Sequence, residues 1–293
     1  MLACLGGSAA AAQIDAAPTH LLVINNNDGE RYAIHIAGET PVADCEAIWV
    51  YAGRGSRIYT VIAREDGARG YHPQICDLAV GSVTPLTGIA VYDSHAGLGP
   101  NGRVLTAARQ DDDTIALVLI DPGAETMSVL DRPGALNSDP DWSPDGQYWI
   151  YRSDRDGRIN LWREHIASGE TIRLTDNRRP LGSRGYGGIG SGRFSPDGHW
   201  IAYSCVDDEA RSQLCLMRSD GRDAQQLTDG ARQTNAMYPS WHPSGERIVI
   251  GADDADAGEG RSALFEIRLA DGEISRLAGQ PEGSNLGAVW AGE

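Results

Sequence analysis

The stretch Asp139-Pro-Asp-Trp-Ser-Pro-Asp-Gly-Gln-Tyr-Trp-Ile-Tyr151 decides the fold of this chain. Its centre, Pro144-Asp-Gly146, has the residues of a tight turn, because proline presets φ, aspartate bonds nearby backbone and glycine accepts a positive φ. On either side, Trp142, Tyr148 and Ile150 alternate with polar residues at period two, as half-buried strands do. The stretch therefore predicts a strand, a tight turn and a second strand.

The same pattern returns twice, at Gly192–Tyr203 and at Pro239–Ile250. The aromatic residue of the first strand recurs about every fifty residues, which is the period of a repeat with four short strands. Weaker copies begin near Tyr51 and Leu98. The first-strand aromatics of the four stronger units are Trp142, Phe194, Trp241 and Trp290.

The two ends of the chain complement each other. Residues 20–24 and 31–36 resemble strands without a first strand, whereas the segment around Trp290 resembles a first strand without its followers. Closing a ring removes the sheet edges that an open array would expose. We therefore predict an all-β protein: a six-bladed β-propeller of four-stranded antiparallel blades, closed by pairing the C-terminal strand with the N-terminal strands.

The first residues differ in composition from the rest. Residues 1–17 are rich in alanine and resemble the end of a secretory signal or a disordered segment, without its basic start. We expect a periplasmic or otherwise exported protein whose propeller spans residues 18–293. An acylated lipoprotein cysteine at Cys4 is an alternative.

Four cysteines remain beyond that segment, and four thiols allow three pairings. Cys205 and Cys215 could face each other across a hairpin, and Cys45 and Cys76 fall together in an earlier repeat. Disulfides would fit an oxidising compartment, while buried free thiols are the alternative.

The charge balance excludes several partners. The chain carries 25 Lys and Arg against 41 Asp and Glu, a formal net charge of −16. Such a chain is repelled by nucleic acid and by anionic lipid. It has no apolar run long enough for a transmembrane helix. We expect a monomer with neither nucleic-acid nor membrane-spanning function.

The repeat of Asp139–Gly146, followed by Ile150-Tyr151 and Arg173-Leu-Thr175, resembles the blade repeat of the TolB family. The resemblance is strong from Pro140 to Leu277 and faint elsewhere. It implies a six-bladed propeller, and by analogy an envelope partner such as the peptidoglycan-associated lipoprotein. TolB proteins precede the propeller with an α/β domain, for which this chain has no room.

Successive turns must lie on opposite faces of a propeller, so the second-to-third-strand loops share a face with the blade-to-blade connections. We call this the loop face. Its loops are acidic. We expect these acids to be ordinary solvated turn residues that hold no cofactor. Weak Ca²⁺ sites or an electronegative docking surface are the alternative. These loop residues are Asn27, Asp28, Glu65, Asp66, Asp111, Asp112, Asp113, Asp154, Asp156, Asp207, Asp208, Asp253, Asp254 and Asp256.

The longest connection, residues 176–193, combines arginines and a tyrosine with glycines. Long loops in compact domains are often functional, and arginine suits carboxylates while tyrosine suits peptides. We therefore predict a binding patch at the loop-face mouth, with arginines that pair to the acidic rim as the alternative. The patch comprises Tyr92, His95, Arg178, Arg179, Arg184, Tyr186, Arg193, Arg232, Asn235 and Tyr238.

Catalytic motifs are missing. The chain has no G-x-S-x-G elbow, no H-E-x-x-H helix and no paired-cysteine zinc spacing. The leading hypothesis is a non-catalytic exported propeller that binds a protein or peptide partner of the cell envelope. The alternative is a polysaccharide (oligouronate) lyase that uses the same arginines and a cluster of His95, Tyr186 and Tyr238.

Overall fold

A computed structural model gives the architecture of the chain. It describes residues 20–26, 32–36, 49–54, 56–63, 71–86, 91, 95–177, 189–207, 209, 211–229, 233–254, 262–280 and 284–291. All regular elements in these ranges are strands, joined as antiparallel neighbours within each sheet. The prediction of an all-β propeller with four-stranded antiparallel blades is confirmed.

Five sheets have four strands each, and each runs outward in chain order from an inner first strand. The first two are β3 (Trp49–Arg54), β4 (Arg57–Ala63), β5 (Tyr71–Asp77), β6 (Ser82–Pro85), then β7 (Ala96–Leu98), β8 (Val104–Arg109), β9 (Ile115–Asp121) and β10 (Thr126–Leu130). The next two are β11 (Asn137–Trp142), β12 (Tyr148–Ser153), β13 (Asn160–His165), β14 (Thr171–Arg173), then β15 (Gly192–Phe194), β16 (Trp200–Val206), β17 (Ser212–Arg218) and β18 (Gln225–Gln226). The fifth is β19 (Gln233–Trp241), β20 (Arg247–Asp254), β21 (Ser262–Arg268) and β22 (Glu273–Arg276).

The remaining sheet has three strands and joins the two ends of the fold. Its order is β2 (Tyr32–Ile36), β1 (His20–Asn26) and β23 (Ser284–Ala291). Leu21 pairs with Trp290, and Val23 pairs with Ala288. The prediction of six four-stranded blades is wrong in its count, since the described residues form five four-stranded blades. The chain from 37 to 48, which follows β2, lies outside the described residues, as does the segment 1–17.

The repeated turn is built by its own side chains. Ser143 Oγ donates to Asp145 Oδ1 over 2.6 Å, and accepts the amide of Tyr148 at 2.8 Å. Ser195 makes the same pair of bonds with Asp197 and Trp200. Because each hydroxyl and carboxylate satisfies backbone donors of its own turn, the Ser-Pro-Asp-Gly sequence specifies the first hairpin locally.

The inner strands pack closely side by side. β3 contacts β7, and contacts continue through β11, β15, β19 and β23, which in turn contacts β3. A Cβ on Gly97 of β7 would lie 2.8 Å from the Cα of Asp141, so only glycine fits at this position. The first-strand aromatics Trp142, Phe194 and Trp241 are buried. They pack between sheets, as predicted.

One predicted disulfide is confirmed. Cys205 and Cys215 are bonded, with their Cα atoms 5.8 Å apart, on neighbouring strands β16 and β17. Cys76 is also in a disulfide. Cys45 lies outside the described residues, so its pairing with Cys76 stays a prediction, as does any role of Cys4.

Candidate functional site

The structure describes four of the ten residues of the predicted patch. Asn235 is exposed on the loop face and donates a hydrogen bond to Asp253 Oδ2. His95, Arg193 and Tyr238 lie further inside the propeller. The other six lie outside the described residues: Tyr92, Arg178, Arg179, Arg184, Tyr186 and Arg232.

A cavity of about 320 Å³ lies among the inner strands, and we call it the central cavity. Every inner strand contributes to its lining: β3, β7, β11, β15, β19 and β23. The lining follows β19 from Tyr238 to Trp241 and continues to the turn residue Pro243. The central cavity therefore extends towards the first-to-second-strand turns, at the end we call the turn face, opposite the loop face.

The central cavity holds two arginines and one carboxylate. Arg54 Nη2 donates to the carbonyl oxygen of Pro144 over 3.4 Å, and Arg193 Nη1 donates to that of Gly192 over 3.0 Å. Asp141 Oδ2 accepts the amide of Phe194 at 2.9 Å. Both arginines act electrostatically on Asp141. The lining therefore has an excess of positive charge inside a protein whose net charge is −16.

Burial raises the pKa of Asp141, although the charges of Arg193 and Arg54 and the amide of Phe194 act in the opposite direction. Burial likewise lowers the pKa of Arg54, which Asp141 partly offsets. Desolvation of charged groups in the central cavity therefore outweighs their mutual attraction. An incoming anion would find an arginine, Arg54, that already lacks part of its hydration.

A second polar cluster lies beside the central cavity and is buried. His95 Nδ1 lies 2.9 Å from Asp139 Oδ1, while Arg152 Nη1 donates to Asp139 Oδ2 over 2.6 Å. Ser138 Oγ also donates to that oxygen. Burial alone would raise the pKa of Asp139, but the charges of His95 and Arg152 prevail and hold it well below its ordinary value. Asp139 takes a φ of 51°, a left-handed conformation that aspartate tolerates.

Tyr238 joins this cluster to the central cavity. Its ring stacks on the imidazole of His95, with centroids 5.2 Å apart. Tyr238 belongs to β19, and His95 immediately precedes β7. Along the series of contacting inner strands, β11 and β15 lie between β7 and β19 on one side, and β3 and β23 lie between them on the other. The stacked pair therefore spans the space between opposite inner strands. Two residues of the predicted patch are brought together, but inside the propeller.

Half of the eight acidic loop residues that the structure describes pair with arginines. Asp113, Asp156 and Asp207 pair with Arg109, Arg173 and Arg211, respectively, and Asp254 pairs with Arg276. Within the described ranges, no group of three or more His, Cys, Asp or Glu side chains is arranged to hold a metal ion. None of these ranges forms a helix of the length and apolarity required to span a bilayer.

Sequence reasoning missed Arg54, Asp139 and Asp141. The sequence could have identified some of the lining residues, because the residue just before each first-strand aromatic lies in the central cavity. These residues are Asp141, Arg193, Ser240 and Val289. Period-two alternation places such a residue on the face opposite the packed aromatic. No comparable local pattern marks Arg54, which precedes a short hairpin.

Two relatives with similar sequences each match part of the chain. No family model matches it. The "Uncharacterized protein Atu1656" of Agrobacterium fabrum is 33% identical over 174 residues, 58% of this chain and 55% of that protein. The "Tol-Pal system protein TolB" of Anaeromyxobacter dehalogenans is 33% identical over 127 residues, 42% of this chain and 26% of that protein. The chain thus spans about half and about a quarter of these two relatives.

Solved structures agree on the architecture. The crystal structure of TolB from Acinetobacter baumannii superposes with a TM-score of 0.75 at 18% identity, covering 96% of this chain and 68% of that one. An oligogalacturonate lyase in complex with manganese superposes with a TM-score of 0.54 at 15% identity, covering 91% and 75%. At such identities the likeness concerns the fold alone. The protein is therefore a β-propeller with a central cavity. TolB proteins are among both its sequence relatives and its structural neighbours.

Proposed function

We propose that this chain is a non-catalytic, exported propeller that binds a protein or peptide of the cell envelope at a mouth of its central cavity. In this proposal, the three-stranded sheet closes a ring with the five four-stranded blades. The observation that carries the proposal is the central cavity itself, to which all six inner strands contribute lining residues. A cavity of this size and mixed lining is typical of a binding site.

Two observations support export and an envelope partner. The Cys205–Cys215 disulfide is of the kind that persists in oxidising compartments such as the periplasm. The relative from Anaeromyxobacter dehalogenans bears the name of a Tol-Pal system protein. We extend this role to the present chain as a monomeric scaffold without a resident cofactor.

Site-directed photo-crosslinking tests where a partner binds. A benzophenone amino acid is placed at Pro196 on the turn face, at Asn235 on the loop face, or at Val129 on an outer strand as control. Pro196 lines the central cavity and is exposed, whereas Val129 is 50% exposed far from it. We expect adducts with an envelope protein from Pro196 or Asn235 and none from Val129. Equal labelling from all three positions would refute a mouth-specific partner.

The predicted loop-face patch has its own test within this experiment. Replacement of Arg178, Arg179 and Arg184 by alanine should abolish the adduct formed from Asn235 if these arginines contact the partner. An unchanged Asn235 adduct would show that these arginines do not contact the partner.

A second candidate function is a polysaccharide lyase, and one observation favours it. Tyr238 and His95 are in contact, and His95 is paired with Asp139, so a tyrosine, a histidine and a carboxylate are connected. His95 is only 5% exposed, which weakens its case as a group that touches substrate. Release of unsaturated products from oligouronates by the wild-type protein, and its loss in His95→Ala, would establish this candidate over the scaffold.

A further inference from the structure

Among the described residues, the lining of the central cavity carries two arginines, Arg54 and Arg193, and one carboxylate, Asp141. Several surface arginines of this protein pair with carboxylates on the same blade, as Arg268 does with Asp271. In the central cavity, Arg54 and Arg193 come from different blades and act together on Asp141. Two guanidinium groups and one carboxylate give the described lining a net positive charge, which suits a further anion.

The geometry allows entry from one side. The Tyr238–His95 stack spans the inner strands at one end of the central cavity, whereas the prolines Pro144, Pro196 and Pro243 border it at the turn face. A chain that enters between the prolines would meet the stacked rings. Such a site suits a chain end better than an internal segment, since an internal segment would have to leave by the mouth through which it entered.

Much of the lining of the central cavity is apolar. Phe194 and Trp241 are buried first-strand aromatics, and Val289 and Leu98 add aliphatic surface. An apolar side chain next to the anion could therefore lose its contact with water here. The apolar walls and paired arginines together describe a peptide end that carries a carboxylate beside an apolar residue.

We propose that the central cavity captures the C-terminal carboxylate of an extended partner peptide with an apolar last residue, through Arg54 and Arg193. This inference rests on the proposed function, because it names the chemistry of the partner at the same site. Arginine forks bind carboxylates through two parallel hydrogen bonds, which gives direction as well as affinity.

Three model peptides test the inference on the full-length protein. They are acetyl-Gly-Gly-Leu as free acid, the same peptide as amide, and acetyl-Glu-Gly-Leu-amide, which carries its carboxylate internally. Binding is followed by the indole N–H signals of ¹⁵N-labelled protein. Trp241 is a local reporter, because its Nε1–H donates to the carbonyl oxygen of Arg193 over 3.1 Å. We expect saturable shifts of the Trp241 signal with the free acid alone.

Variants then locate the carboxylate. Arg54→Gln and Arg193→Gln should each weaken free-acid binding about 10- to 100-fold, since each removes charge-assisted hydrogen bonds. Arg218→Gln is the matched control, because Arg218 pairs with Asp223 on the outer surface and should leave binding unchanged. Comparison of acid with amide needs no variant, so it is informative even if an arginine variant is unstable.

Several results would overturn the inference. No shift with the free acid, equal shifts with acid and amide, or equal binding of the internal glutamate peptide would each exclude C-terminal recognition. A loss in Arg218→Gln as large as in Arg193→Gln would exclude the arginine pair. If cross-links from Pro196 or Asn235 persist while the free acid fails, only the carboxylate inference falls and the proposed partner binding stands.

Discussion

The ring of Tyr238 stacks on the imidazole of His95, with centroids 5.2 Å apart, although 143 positions separate the two residues in the chain. Both residues belong to the inner layer of the propeller: Tyr238 lies on β19 and His95 immediately precedes β7, and these two strands do not neighbour each other. The contact closes one end of the central cavity. It also shields a histidine that is already paired with Asp139.

Tyr238→Ala should therefore open this end and expose His95. We expect the rate of modification of His95 by diethyl pyrocarbonate, followed by mass spectrometry of its peptide, to rise several-fold. Tyr238→Phe is the control, because it keeps the stacked ring and the same backbone conformation, with φ 55°. A rate in Tyr238→Ala equal to that of the wild type would mean that other groups shield His95.

Asp139→Asn should destabilise the protein strongly at neutral pH. The substitution leaves the buried Arg152 without its carboxylate, and the loss of one partner of a buried ion pair costs about 3–5 kcal/mol. Because the pKa of Asp139 is lowered in the folded state, its contribution is complete above the unfolded pKa and is lost as pH falls through the folded pKa. The measurement is urea unfolding at pH 7 and at pH 3.

The gap between wild type and Asp139→Asn should shrink at the lower pH. Asp121→Asn is a control on a partly exposed carboxylate that pairs with Arg103, and it should change stability little. A variant as stable as the wild type at pH 7 would show that the cluster of His95, Asp139 and Arg152 does not support the fold.

Asp141→Asn should have the opposite pH dependence. The pKa of Asp141 is raised, so ionisation disfavours the folded state, and this penalty is absent below the unfolded pKa and complete above the folded pKa. The asparagine oxygen can still accept the amide of Phe194. Relative to wild type, we expect the variant to gain free energy of unfolding as pH rises from 3 to 7. A relative loss over that range would mean that the arginines stabilise ionised Asp141 more than burial opposes it.

Gly97→Ala should disrupt the packing of β7 on β11. The added methyl group would lie 2.8 Å from both the Cα of Asp141 and Cδ1 of Trp142, so the two inner strands would have to separate. Overpacking of this kind costs about 1–3 kcal/mol. Gly123→Ala is the matched control, because its nearest neighbour would be an Asp121 carboxylate oxygen at 3.5 Å. The two variants are compared by chemical denaturation, and equal midpoints would contradict the close packing.

The blades could be predicted because their specification is local. Ser143 bonds to Asp145 and to Tyr148, and both partners lie within five residues of it, so the turn can be recognised in the sequence wherever it recurs. Cys205 and Cys215 lie on one hairpin, and their pairing was predictable for the same reason. The blade count depended instead on residues at the two ends of the chain, where the strand pattern is weak, and there the sequence led to one four-stranded sheet too many.

The candidate site was less predictable, because its residues meet only after the inner strands assemble. Arg54 and Arg193 come from different blades, and nothing near Arg54 in the sequence indicates that it faces a cavity. The long arginine-rich loop suggested a patch on the loop face, whereas the described arginines of the central cavity extend towards the turn face. Only the meeting of His95 with Tyr238 was anticipated, as a condition for the lyase alternative.

The antiparallel pairing of β1 with β23 makes His20 and Ala291 direct partners. A short engineered linker could therefore join these two positions as a hairpin, and new termini could be placed at the exposed tip near Ser168 and Gly169, between β13 and β14. A circularly permuted protein of this design would retain every strand pair of the native fold while its chain began in a different blade. The blades of such a protein would be synthesised in a different order and should still form the same architecture.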